Sequence, residues 1–235
     1  WVFWINTPLG LAVIAALRFS PAGVRNPVKI DLIGGAMFVA ALALLTAALS
    51  RAGDVDVLFG VLLIATFASL MSTVWWHRRT EDPLLPVRLI RTLTFSASNL
   101  GHLAIGISLI TAMVTVPLMA NTVLGLSALD GGLMLLRMTI AIPFGAVAGG
   151  YWVQRWGTRW PLLFGFGFAA IGLAAMSRWD LGISDPGMTL HLALAGLGFG
   201  LLIAPIHTTA LHAARAGERG SASALITVSR MVGMT

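Results

Sequence analysis

"LLRMTIAIPFGAVAGGYWVQRWGTRW", residues 135–160, sets an arginine, Arg137, inside an apolar run, follows it with a ladder of small residues and closes on a cluster of tryptophans and arginines. A charge at the centre of a bilayer-crossing helix costs about 2.5 to 3.5 kcal/mol, so such an arginine faces a wet cavity or a charged partner. The rest of the chain fits a membrane setting. Hydrophobic residues make up 57% of the 235 and charged residues 10%, whereas soluble domains carry about a quarter charged residues.

Outward from this stretch, apolar segments occupy Trp1 to Phe19, Leu32 to Leu49, Val57 to Trp76, Phe95 to Ala120, Ala128 to Trp152, Pro161 to Trp179 and Thr189 to His212. An eighth opens at Ser221 and stops at Thr235. Most reach the roughly 20 residues that a helix needs to cross about 30 Å of hydrocarbon. The expected fold is all-α integral membrane, with seven complete crossings and a partial eighth. A start at Trp, with no basic leader region, and an end inside an apolar segment suggest an internal piece of a longer protein. Such a piece is expected neither to transport nor to fold stably alone.

The net charge of +6 does not describe a nucleic-acid surface, because the arginines are dispersed between apolar segments. They report topology instead. If the first segment runs inward, one side of the membrane holds Arg18, Arg25, Lys29, Arg78, Arg79, Arg88, Arg91, Arg155, Arg159, Arg215 and Arg219, eleven of fifteen cations. The other side holds Arg51 and Arg178. This is the positive-inside pattern. All eight tryptophans lie at or beside segment ends, as amphipathic rings at headgroup level do. Connections on the outer side are short: "RAGDVD" at 51–56, a turn at 125–127 and "DLGISDPG" at 180–187. The longest inner connection, "HRRTEDPLLPVRLIRT" at 77–92, is charged and bears prolines, which suits a boundary between helical bundles. Its "PLLPVRLI" is either a short interfacial amphipathic piece or plain loop.

Familiar catalytic chemistries find no foothold. A phosphate loop needs Gly-Lys, and the only lysine is Lys29 in "NPVK". No cysteine is available for a thiolate or disulfide. His207 and His212 are five apart, off the spacing of a helical zinc pair, and no metal or other cofactor is expected. "GISDPG" is a turn rather than a nucleophile elbow.

The embedded polar residues remain. Arg137 lies about 10 Å into the membrane from the outer side. Ala141, Phe144 and Ala148 share its helix face, and Gly145 and Gly149 flank it at the spacing for close backbone approach. Arg137 either faces a cavity, or it snorkels outward or pairs only to lock helices together; Asp130, seven residues earlier, belongs with it among the ion-pair candidates. Arg230 falls near the midplane, with Ser223 and Thr227 on its side of the helix and no acidic residue of this chain at its depth. His207 follows Pro205, which bends the helix and frees a carbonyl; Thr208 and Thr209 extend that polar patch. His207 is either a proton relay or a hydrogen-bonded structural histidine. His102, alone on the fourth segment, reads as structural. Gly196, Gly198 and Gly200 permit tight packing and bending.

Several motifs together resemble one family. "WVFWINTPLG" at 1–10, with Asn6, Pro8 and Gly10, resembles the signature opening the sixth helix of fourteen-helix drug:proton antiporters of the major facilitator superfamily. "DPLLPVRLIRTLTFSASNL" at 82–100 resembles their entry into the second six-helix bundle. "GAVAGGYWVQRWGTRWPLLFG" at 145–165 is similar to the family's inner-loop motif, with Gly145, Gly149, Arg155, Gly157 and Arg159 in place and Gln154 where the family has an acid. "LLRMTIAIPFGAVAGG" and "SASALITVSRMVGM" resemble actinobacterial, mycobacterial-type exporters of drugs and acylglycerol lipids.

The resemblance implies a proton-coupled efflux transporter of the bacterial cytoplasmic membrane, working by alternating access on a hydrophobic drug or lipid, with a periplasmic lipoprotein as a partner. It also implies that a membrane-embedded arginine, here Arg230, pairs with carboxylates of the first bundle. Ser223, Thr227, Thr208 and Phe144 become candidates for the cavity lining. In this frame residues 1–19 are the last helix of the first bundle and 20–76 an inner loop with two linker helices. Residues 77–94 are a cytoplasmic loop between bundles, and 95–235 the truncated second bundle. The readings in competition are a membrane-embedded lipid-handling enzyme and a non-transporting scaffold subunit.

Overall fold

The computed structural model describes Trp4 and residues 6–19, 31–53, 56–80 and 87–235. Trp1, Arg25, Lys29 and the 81–86 part of the long inner connection lie outside the described residues. The described chain is helical throughout, without strands. It divides into two units, Trp1–Ile30 and Asp31–Thr235. In the first, helix α1 covers Asn6–Leu17, so Pro8 and Gly10 stand in its opening turns. Both are exposed, and the side chain of Asn6 lies outside the described residues.

The second unit contains α2 (Leu32–Leu49), α3 (Val57–His77), α4 (Val87–Ile90), α5 (Leu93–Thr122), α6 (Ala128–Trp156), α7 (Arg159–Met176), α8 (Asp185–Ala213) and α9 (Arg219–Gly233). Six of these, α2, α3 and α5 to α8, are long and apolar enough to cross a membrane. Their ends follow capping chemistry. Asp31 and Asp56 accept the N–H groups of Gly34 and Phe59, each at 2.8 Å, at the starts of α2 and α3. Ser127 and Asp130 form a reciprocal capping box on α6. Gly157 ends α6 at φ 77°, a backbone region that favours glycine. The "PLLPVRLI" segment contributes the single turn α4, whose Leu89 is fully buried.

α2 and α3 pack chiefly on each other. Their seam is made of small and polar residues, Gly34, Ala41 and Ala48 meeting Thr66, Thr73 and His77. The spacing of seven keeps one stripe toward the partner. Each threonine hydroxyl is satisfied on its own helix, by Leu62 and Ser69 carbonyls at 2.8 Å. The large apolar side chains point outward instead: Val57, Ile64 and Phe67 are all exposed. That inversion belongs to a lipid environment, where apolar surface gains nothing by hiding and small residues let backbones approach. Asp31 Oδ1 also accepts the Trp76 indole N–H at 3.2 Å, tying the start of α2 to the end of α3.

α8 is the centre of the remaining bundle and touches α5, α6, α7 and α9. Gly196 and Gly200 meet α6 so closely that a methyl group on either would overlap the carbonyl oxygens of Met138 and Ile142. Gly198 does the same against the Ala169 backbone of α7. Gly145 and Gly149 on α6 lie against Leu197 and Leu201 of α8. Met138, Leu192, Phe199 and Leu202 fill the space between. α9 lies along α5, with Gly106 of α5 against the Arg230 backbone and Gly233 of α9 against Leu103.

Candidate functional site

The embedded polar residues gather in two places. The outer one is a clasp between α6 and α8. An Arg137 guanidinium nitrogen donates to Asp185 Oδ1 at 2.7 Å and to Thr189 Oγ1 at 2.6 Å, and the Thr189 hydroxyl donates to the Asp185 carbonyl at 3.0 Å. Arg137 reaches this partner because its long stem carries the charge toward the helix end. Asp130 forms no ion pair among the described residues. Its Oδ2 accepts the Ser127 hydroxyl at 2.7 Å and the Ser127 N–H at 3.2 Å, so the α6 cap occupies it. Asp185 was hidden by its setting: "GISDPG" looks like a turn, yet its aspartate is the first residue of an antiparallel helix, level with Arg137. Phe144, on the Arg137 face, is 66% exposed.

The second gathering lies among α5, α8 and α9. Ser223 Oγ is 3.3 Å from His207 Nε2, joining α9 to α8. Ser229 donates to Asn99 Oδ1 at 2.7 Å, joining α9 to α5. Asn99 and Ser229 also edge a groove of about 420 Å³ lined by Phe38, Phe95, Leu103 and Leu225. Arg230 is half-buried, its backbone seated on Gly106, and it forms no ion pair among the described residues. Thr208 and Thr209 both turn back to the Pro205 carbonyl, at 2.9 and 2.7 Å, and Thr227 donates to the Ser223 carbonyl at 3.0 Å. These three hydroxyls therefore keep only acceptor capacity for a ligand. His102, the isolated histidine, turns out to face His207 across the α5/α8 contact. Equal depth on two antiparallel helices was the available signal; which helices are neighbours was not.

At the arginine-rich end of α6, Gln154, Arg155 and Arg159 are exposed, and Arg155 donates to the Tyr151 hydroxyl at 3.2 Å. Nearby in sequence to α9, Glu218 accepts Arg88 at 2.9 Å and the Arg215 N–H at 3.1 Å, so α4 is pinned to the start of α9. Desolvation works against the Glu218 charge, but the Arg215 N–H and the Arg88 guanidinium outweigh it and hold the carboxyl below its usual range.

The family profile described as Major Facilitator Superfamily matches residues 1–235. A protein named triacylglyceride transporter in Mycolicibacterium hassiacum is 35% identical over 251 residues, covering 99% of this chain and 47% of its own length. One of the same name in Mycobacteroides abscessus is 31% identical over 250 residues, covering 99% and 49%. Another in Mycobacterium tuberculosis is 31% identical over 252 residues, with the same two shares. The chain thus spans about half the length of the curated relatives it matches.

Proposed function

The chain belongs to the major facilitator superfamily, and from that premise we propose that its protein is a proton-coupled exporter of acylglycerol lipids or hydrophobic drugs in an actinobacterial cytoplasmic membrane. The names of the relatives support lipid cargo. In this reading residues 1–19 close the first bundle, 20–76 carry two peripheral linker helices, 77–94 connect the bundles and 95–235 belong to the second. A periplasmic lipoprotein would receive the lipid.

The observation that carries the proposal is Arg230: a half-buried arginine in the last turn of α9, its backbone seated on Gly106, with no carboxylate partner among the described residues. A charge so placed needs a partner, and the proposal puts a titratable acid of the first bundle there. With that acid ionised the pair holds the two halves in one arrangement; protonation releases it and shifts the balance toward the other. No covalent step is needed. Gly106 and Gly233 clamp α9 to α5, so a change at Arg230 moves both helices together.

The test uses the full-length protein in proteoliposomes with an imposed proton gradient. Arg230→Ala is expected to abolish proton-driven export of a triacylglycerol or an apolar dye while the protein remains in the membrane. Arg230→Lys rescues poorly, since the bidentate fork is lost. Removing one partner of a buried pair costs about 3 to 5 kcal/mol, so insertion is measured alongside. Wild-type pH dependence of export in well-inserted Arg230→Ala protein would return Arg230 to a structural role.

A further inference from the structure

His102 is 2% exposed, and neither Nδ1 nor Nε2 has a hydrogen-bond partner among the described residues. Every imidazole carries at least one N–H to donate, and a neutral ring has a lone pair to fill as well. Leaving a polar group bare in an apolar setting costs about 2 to 7 kcal/mol. The ring therefore calls for something between it and its neighbour. That neighbour is a second imidazole: His207 of α8 stands edge-on to His102, with ring centroids 6.3 Å apart and planes at 73°. The separation suits a hydrogen bond shared through one water or after a small ring rotation. Through Nε2, His207 also meets the Ser223 hydroxyl at 3.3 Å, which donates or accepts as the tautomer requires.

Among the described residues the titratable ring facing His102 is His207, and the charged residue Arg230 sets its backbone against Gly106, one turn further along α5. The acids of the packed elements lie, among the described residues, at their ends: Asp130 in the first turn of α6, Asp185 at the start of α8, and Glu218 just before α9. α7 offers Phe166 near Gly101, one residue from His102. His212 lies further along α8 and is exposed.

We propose that His102 and His207 form one proton-binding site, a histidine pair holding a single shared proton between α5 and α8 beside Arg230. This rests on the reading of the protein as proton-coupled and adds a second titrating element on the side of the arginine. The pair holds one proton because two charged rings and a guanidinium would crowd three like charges into a poorly solvated space. Proton uptake adds positive charge next to Arg230 and urges it toward its acid on the first bundle; loss of that proton relaxes it. The site thereby links α5 and α8 to the motion of α9.

Purified full-length protein in detergent is titrated between about pH 8 and pH 5, the range in which histidines change charge, and protons taken up are counted. His102→Gln and His207→Gln are each expected to displace the midpoint of one uptake step by at least about tenfold in proton affinity, and the double variant is expected to lose one proton. Two protons lost in the double variant, with each single variant leaving the other step in place, would mean independent histidines and overturn the pair. Four superimposed curves would overturn it as well. If His102→Gln impairs insertion, the half-buried His207 decides the matter, and unchanged uptake in His207→Gln is the overturning result. Proton binding is counted on protein at rest, so it stands or falls separately from proton-driven export.

Discussion

The α2–α3 hairpin and the α6–α7–α8 group are both built from apolar helices, yet they hold together differently. α2 and α3 are the most apolar of the candidate spans, and their apolar windows are 17% and 11% buried; that of α8 is less apolar and 56% buried. Hydrophobicity here marks contact with lipid, not membership of the core. The hairpin needs only one seam, made by Gly34, two alanines, two threonines and His77. α8 is touched from several sides, so its glycines remove side chains on two faces at once, letting carbonyls of α6 and backbone of α7 come to van der Waals distance. One design makes a pair; the other makes a centre.

The strongest way to break this comparison is to add side chains to matched glycines. Gly200→Leu drives carbon into the Ile142 carbonyl and is expected to destabilise the full-length protein by about 1 to 3 kcal/mol or more, read as a fall in its unfolding midpoint in detergent. Gly60 on α3 has open space around it, so Gly60→Leu is expected to stay within about 0.5 kcal/mol of wild type. Equal losses would erase the distinction.

Within the hairpin, Asp31→Ala removes a helix cap and the Trp76 contact together, at an expected cost of about 1 kcal/mol. Amide exchange should quicken at the start of α2 while α8 is unaffected. Spread of that loosening to α8 would show the two regions to be one cooperative unit.

The outer clasp is weaker still, because the Arg137 side chain is 32% exposed and that of Asp185 65%. Arg137→Ala and Asp185→Asn are each expected to cost about 1 kcal/mol or less, with a double variant no worse than either alone. Arg137→Ala should alter export rate or substrate preference more than its proton dependence. Fully additive losses would show that the pair contributes nothing as a pair.

The smallest effect is expected at Glu218. Its folded-state carboxyl titrates below its usual value, so the stabilisation it gives is present above the unfolded carboxylate range and is lost as pH falls through the lower folded value. Amide protection factors around residues 215–219, which discount the intrinsic slowing of exchange in acid, should fall on acidification in wild type, and those of Glu218→Gln should be low at both ends of the range. An acid-insensitive wild type would remove the Arg88–Glu218 link from the account of how α4 is held.

The spans were legible because a helix must be apolar for about 20 residues to cross the hydrocarbon, and Leu32–Leu49 was read to the residue. α8 was read four residues short at its outer end, since Asp185 and Pro186 are first-turn residues that also make good turns. Arg230 and His207 stood out by their chemistry in apolar segments. Asp185 did not, and His102 seemed isolated, because a side chain's role there depends on what the next helix presents.

The sequence by itself determined that the chain is helical, where its six long apolar spans lie to within a few residues, how the charges alternate between them, and the family. The spans are legible because each must stay apolar for about 20 consecutive residues, which the thickness of the bilayer imposes. Only the tertiary structure decided that Arg137 meets Asp185, that Asp130 caps its own helix, that α8 is the centre, and that His102 faces His207. In lipid the apolar surfaces of different helices are nearly interchangeable. Partner choice therefore rests on where a few glycines let backbones touch and at what depth the polar groups then coincide.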